Sequence, residues 1–216
     1  ITPYRERKLR ILNGGHTISV AAGFLCGLET VYDCMQDEVM GKFISQVIYE
    51  EIIPTLSIDI DMAKEFAGDV LDRFRNPYLH HQLISITLQY TSKMNMRNGL
   101  TFDRYLKKTG EVPKRMCAGL AAYLLFSRPT VQEGDKYYGE FNGEQYPIRD
   151  DKADFLYKAW QEVDLSDAES TQQLVEKILT HQPFWGQDMR PFVELISFYL
   201  GRYTEVGVRD VLASLV

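Results

Sequence analysis

An all-α fold with one small β-hairpin around residues 137–148 is predicted, on three observations. Most of the chain repeats apolar residues at helical spacing, in segments closed by proline, glycine or an acidic cap. The stretch Tyr137-Tyr-Gly-Glu-Phe-Asn142-Gly143-Glu-Gln-Tyr-Pro147 sets Asn-Gly between aromatic-rich flanks, the strongest short hairpin signal. Neither G-x-G-x-x-G nor G-x-x-x-x-G-K-[ST] occurs, so the chain carries no phosphate loop of a doubly wound nucleotide fold.

Taken in order, Pro3 suits a first helical turn with Thr2 as N-cap. That helix runs to about Gly27, with helical pattern continuing to Met35. Asp37 opens a second helix over 39–53, closed by Pro54, with Phe43, Val47, Ile48 and Ile52 at helical spacing. A third spans 59–75 and stops at Asn76-Pro77. A fourth covers 79–92. Residues 102–108 form a short helix ended by Gly110. Residues 113–127 are strongly apolar, with Leu120, Ala121, Leu124 and Leu125, and read as a buried helix. The pattern breaks over 128–147, where the hairpin falls. Helix resumes over 151–162, 169–179 and 191–203, and 207–216 adds a final turn or two.

At 216 residues and 45% hydrophobic content, the chain can bury one good core or two small ones. Its net charge of −6, from 24 basic and 30 acidic residues interspersed along the chain, argues against a nucleic-acid partner. No apolar run approaches the ~20 residues that span a bilayer, so no membrane partner is expected. No signal peptide is visible. Cys26, Cys34 and Cys117 are odd in number and lack CxxC spacing, which reads as reduced thiols in a cytoplasmic protein. No HExxH or paired-cysteine spacing suggests a metal. His80 and His81, if helical, point about 100° apart and so would not share one ion.

Chemistry concentrates first in Lys8-Leu-Arg-Ile-Leu-Asn13-Gly14-Gly15-His16. An ammonium, an amide and an imidazole could act together on one carbonyl oxygen. On an α-helix with Lys8 at zero, His16 falls near about 80° and Asn13 near about 140°, on one side. Two glycines inside a helix cost roughly 1 kcal/mol each relative to alanine. Close approach of a substrate, a cofactor ring or another helix would explain them. The second concentration is Asp72-Arg73-Phe74-Arg75-Asn76-Pro77-Tyr78-Leu79-His80-His81. It reads either as an anion site at a helix start or as a plain helix boundary.

Lys-x4-Asn-x2-His followed by an apolar small-residue helix resembles the active-site helix of the long-chain mannitol dehydrogenase family. The whole string through Ile18 is most similar to its tagaturonate reductase branch. Arg73, Phe74, Asn76 and Pro77 match a second family pattern, and Ser92-Lys93 a third. The resemblance covers nearly the whole chain and weakens after Pro113. It implies a multi-helical C-terminal domain of the mannitol dehydrogenase and 6-phosphogluconate dehydrogenase-like type over 1–216. It also implies NAD chemistry without a metal. Because the chain opens on Ile-Thr-Pro without Met, just ahead of the triad, it is expected to be a piece of a longer polypeptide. Its missing N-terminal Rossmann domain would be its partner and would hold most of the NAD, so no cofactor-binding residue is assigned here.

The implied catalytic residues are Lys8, as general acid in carbonyl reduction and base in alcohol oxidation, and Asn13 and His16 as donors to the developing oxyanion. To act near neutral pH, a lysine with an ordinary pKa of about 10.4 needs burial or nearby positive charge. The implied substrate residues are His81, Lys93, Arg73 and Ser85, with Arg97 a weaker candidate. Polyol-specific members carry an acidic residue where His81 stands and an arginine where Ser85 stands. Both departures favour a sugar acid, with Lys93 paired to its carboxylate. The expected reaction interconverts tagaturonate and altronate. Fructuronate reductase, polyol 2-dehydrogenase and a non-catalytic helical interaction module are the alternatives, and the isolated chain is expected to be inactive without its nucleotide domain.

Overall fold

A computed structural model describes residues 3–216. Thr2, the expected N-cap, lies outside them. Helix α1 (Pro3–Arg7) runs unbroken into a π-helical segment (Lys8–Gly14) and then α2 (Gly15–Leu25). Thr30 opens α3 (Val31–Gln36) with a capping box: its side chain accepts from Asp33 N–H while the Asp33 carboxylate accepts from Thr30 N–H. Asp37 caps α4 (Glu38–Gln46), which passes into a second π-helical segment (Val47–Ile52) and a 3₁₀ turn at Pro54. Asp59 caps α5 (Ile60–Phe74) through the backbone N–H groups of Asp61 and Met62. The short α6 (Leu83–Ile86) follows a loop. Then α7 (Tyr90–Met94), a third π-helical segment (Asn95–Gly99) and α8 (Leu100–Thr109) form one continuous rod, ended by Gly110 at φ 75°.

Helix α9 (Lys114–Phe126) is apolar on every side from Met116 onward, as a helix enclosed by others must be. It packs between α2 and α12 (Val193–Val206), and α12 packs in turn on α11 (Ala168–Leu179). The α2–α9 contact is close: a Cβ on Gly119 would meet the Ile18 carbonyl oxygen at 2.5 Å. Helices α10 (Ala153–Trp160) and α13 (Val208–Ala213) complete the set.

The hairpin is present, with Asn142 at φ 52° and Gly143 at φ 79°, both positive as a type I′ turn requires. It is larger than expected. β1 (Val131–Glu133), β2 (Lys136–Phe141) and β3 (Glu144–Ile148) form a three-stranded antiparallel sheet in that order. Three residues of β1 are too few to show a period of two. Tyr146 anchors the sheet: its hydroxyl donates to the Phe126 carbonyl at 2.8 Å and its ring stacks on Phe126.

Two helix expectations need correction. The first helix is not α-helical throughout, because the turn carrying Lys8 and Asn13 is π-helical, while His16 stands on the α-helical turn that follows. The expected helix over 79–92 is broken. Residues 75–82 form a loop, and Gln89 sits at φ 53° between α6 and α7. Distant chain produces that break: the Gln89 N–H donates to the Arg149 carbonyl, and Asp150 accepts from Thr91 N–H. The α7–α8 rod is correspondingly much longer than the expected 102–108.

Candidate functional site

A π-helix bonds i to i+5, so its turn is wider than an α-helical one. Asn13 therefore falls roughly one turn beyond Lys8, more nearly in line with it than α-geometry places it. What approaches Gly14 and Gly15 is protein. A Cβ on Gly14 would lie 2.9 Å from Asn98 Oδ1 and 3.4 Å from the Arg97 carbonyl, both in the third π-helical segment. A Cβ on Gly15 would meet Ile48, in the second. The three π-helical segments thus meet around the triad. The Arg10 guanidinium donates to the carbonyls of Met96 (2.9 Å) and Arg97 (2.7 Å), binding the first segment to the third. Of the alternatives open from sequence, another helix accounts for both glycines.

His16 emerges on the first turn of α2. Its ring stacks on Phe74, with centroids 4.1 Å apart and planes 11° from parallel, and meets His81 edge-on at 5.1 Å. Its Nε2 is enclosed without a hydrogen-bond partner. Burial pushes the His16 pKa down to about 3, and the positive charges of His81, Arg97 and Arg73 push the same way. The ring is therefore neutral at ordinary pH. It faces a cleft of about 280 Å³ with Arg73, Phe74, His80 and His81, which Tyr78 and Leu79 border at the mouth.

The charged groups around this cleft are nearly all cationic. Burial lowers the His81 pKa, helped by Arg73 and Lys93. Burial, then Arg97, lowers that of Lys93, whose Nζ donates to the Ile86 carbonyl at 3.0 Å. Asp150 is the acidic group acting on Lys93 in the opposite sense. Arg97 is half-buried, donates to Thr17 Oγ1 at 2.9 Å and keeps its Nε enclosed without a partner. On a protein of net charge −6, this is a local positive field.

The structure brings His16, Arg73 and His81 onto one cleft and sets Lys93 within electrostatic reach. It does not bring every candidate there. Lys8 is exposed, so the burial expected for it is not furnished by the described residues. Asn13 is half-buried, and its amide makes no hydrogen bond among them. Ser85 is exposed on α6 and does not line the cleft. The anion site at a helix start is also corrected, because loop follows Pro77, where Asn76 Oδ1 accepts from Tyr78 N–H. His80 and His81 lie in that loop and not on a helix, and both line the cleft. Phe74, the ring under His16, shows in the sequence only as part of the Arg73–Pro77 motif. Its tell was its place beside Arg73. Val31, also in the lining, carries no sequence signal.

No cluster of three or more His, Cys, Asp or Glu suited to a metal occurs among the described residues. Nor is any helix among them long and apolar enough to cross a membrane. Cys26, Cys34 and Cys117 are unpaired.

The chain matches the mannitol dehydrogenase C-terminal domain family over residues 1–205. It is 37% identical over 215 residues to an altronate oxidoreductase of Klebsiella pneumoniae (strain 342), covering 97% of this chain and 42% of that protein. An altronate oxidoreductase of Escherichia coli O7:K1 is 38% identical with the same coverage. The chain thus spans about two fifths of the length of these relatives. Pseudomonas fluorescens mannitol 2-dehydrogenase, solved as a ternary complex with NAD and D-mannitol, superposes with a TM-score of 0.80 at 24% identity, over 100% of this chain and 41% of that one. A substrate-free D-sorbitol dehydrogenase gives 0.76 at 22% identity, over 98% of this chain and 41% of that one. At those identities the structural likeness establishes the fold alone. With the family matched over almost its full length, the chain belongs to the mannitol dehydrogenase C-terminal domain family.

Proposed function

We propose that residues 1–216 are the substrate-binding and catalytic C-terminal domain of an NAD-dependent hexuronate oxidoreductase that interconverts tagaturonate and altronate. The observation that carries this reading is a neutral imidazole, His16, on a cleft whose charged neighbours Arg73, Lys93 and Arg97 are cationic, with the His81 imidazole beside them. Such a cleft favours a substrate with a carboxylate over an uncharged polyol. The likeness to altronate oxidoreductases supports the same choice.

In this reading Lys8 gives a proton to the carbonyl oxygen during reduction and takes it back during oxidation. Asn13 and neutral His16 donate hydrogen bonds to that oxygen as charge develops, and one such donor is worth roughly 3 kcal/mol. Arg73, His81 and Lys93 attract and orient the carboxylate end. A cleft of about 280 Å³ suits a six-carbon acid and is too small for a dinucleotide. The nicotinamide cofactor, which would give a hydride as NADH in reduction and take one as NAD in oxidation, is accordingly assigned mainly to an upstream Rossmann domain that is this domain's partner in the full-length protein. Closure of that domain would cover Lys8 and provide the burial its role needs. No metal is required.

The test is reductase activity of the full-length protein, nucleotide domain included, on tagaturonate, fructuronate and fructose. The expected order of kcat/KM places tagaturonate first and fructose last. A preference for fructose would overturn the sugar-acid reading.

A further inference from the structure

Beside the His16 ring lies a second, much smaller gap of about 10 Å³, near the lower limit for one water molecule. Its lining is apolar except for His16, Ser19 and the Cys34 thiol. Ser19 stands three residues after His16, on the same face of α2. Its Oγ is buried and has no hydrogen-bond partner, and the same holds for His16 Nε2. Two unpartnered polar atoms on residues lining one gap each carry a desolvation cost that a bridging hydrogen bond would remove.

Other helical hydroxyls in this protein are used differently. Thr109, Thr171, Thr180 and Ser197 each donate to the carbonyl four residues back, at 2.7–2.9 Å. That is the ordinary outlet for a hydroxyl inside a helix. Ser19 does not take it.

A neutral imidazole has one nitrogen that donates and one that accepts. Nε2 is the enclosed nitrogen, and the ring lines the cleft, which leaves Nδ1 as the nitrogen able to reach a substrate. If His16 is to donate to a carbonyl oxygen, Nδ1 must hold the proton and Nε2 must accept. We propose that Ser19 is a positioning residue: its hydroxyl donates to a water held in the gap, which donates to His16 Nε2, and so holds the proton on the cleft-facing Nδ1. The catalytic consequence rests on the oxidoreductase reading above; the tautomer itself does not. The Cys34 thiol is a weaker donor on the same gap and is the rival for this position.

The experiment reads the tautomer directly, from the nitrogen chemical shifts of ¹⁵N-histidine-labelled protein at neutral pH. His16 is expected to carry its proton on Nδ1. Ser19→Ala should abolish that preference, while Ser19→Thr, which keeps a hydroxyl, and Cys34→Ala should retain it. A proton on Nε2 in the unaltered protein, an unchanged tautomer in Ser19→Ala, or a loss in Cys34→Ala would each overturn the proposal. In the full-length enzyme, Ser19→Ala should lower kcat about tenfold with KM little changed, less than loss of the donor itself, and Ser19→Thr should restore it. A shifted tautomer with unchanged kcat would overturn the positioning role. Absence of hexuronate turnover in the unaltered enzyme would instead sink the substrate reading and leave the tautomer result standing.

Discussion

Two ionisable groups drawn away from water, the buried Glu51 and the cleft-lining His16, lie in regions that treat them oppositely. Glu51, in the second π-helical segment, accepts from the backbone N–H groups of Arg115 (2.8 Å) and Met116 (2.7 Å) and faces the Arg115 guanidinium. It caps the start of α9 from 64 residues away in sequence, where Pro113 offers no side-chain cap. Burial still pushes its pKa up to about 7, against those donors. His16 is pushed down to about 3 by the same cause, with Nε2, Ser19 Oγ and Arg97 Nε unpartnered. Burial drives both groups toward their neutral forms. They differ in their partners. A fully bonded buried group holds structure together, while unmade hydrogen bonds around a cleft-lining residue are unfavourable for stability and are more readily explained by function.

The contrast is most easily broken at the proposed chemistry. Lys8→Ala in the full-length protein is expected to lower turnover about 10²–10⁴-fold while nucleotide affinity survives. Near-normal turnover would remove the lysine from the mechanism. The structural pole is tested by Glu51→Ala, which strands two buried N–H groups. It should cost about 3 kcal/mol in urea unfolding. A loss below about 0.5 kcal/mol would contradict its role as a cap.

The pH dependences should have opposite signs. His16 has a folded pKa of about 3 against an ordinary 6.5, so its contribution to stability is complete above 6.5 and is lost as pH falls toward 3. Glu51 has a folded pKa of about 7 against an ordinary 4.5, so its contribution is complete below 4.5 and is lost as pH rises toward 7. His16→Asn should flatten the first slope and Glu51→Gln the second, each by about 1–3 kcal/mol across its window. Unfolding free energies measured from pH 4 to 8 would expose a wrong sign in either.

The smallest effect separates the two glycines. Gly14→Ala places a methyl against Asn98 and the Arg97 backbone, so it should destabilise by about 1 kcal/mol despite the better helix propensity of alanine. Gly15→Ala meets the Ile48 side chain at 3.0–3.1 Å and no backbone, so it should cost less than Gly14→Ala. Equal effects in thermal unfolding would refute the packing account of Gly14.

How much of the site was legible depended on how local its causes are. Lys8, Asn13 and His16 stood out because they occupy nine residues of one strand of sequence. Arg73 and His81 stood out beside them as a second motif. The cleft joining His16 to Phe74 and His81 was not visible, since 58 to 65 residues separate these rings in the sequence. Nor was the exposure of Lys8, which depends on what packs against its face. Ser19 carried no signal, because a serine in an apolar helix looks the same with its hydroxyl bonded or free.

By itself the sequence determined the features made within a few residues. The caps at Thr30, Asp37 and Asp59 are hydrogen bonds two or three residues long. The turn at Asn142-Gly143 needs only two residues that tolerate positive φ. The helical class follows from periodicity alone. Tertiary structure decided the π-helical widening at Lys8–Gly14, beside Arg97 and Asn98, and the break at Gln89, bonded to Arg149. It also decided which polar atoms of His16, Ser19 and Arg97 were enclosed. Each of these depends on groups far apart in the chain, whose desolvation and hydrogen bonding exist only once the helices have packed.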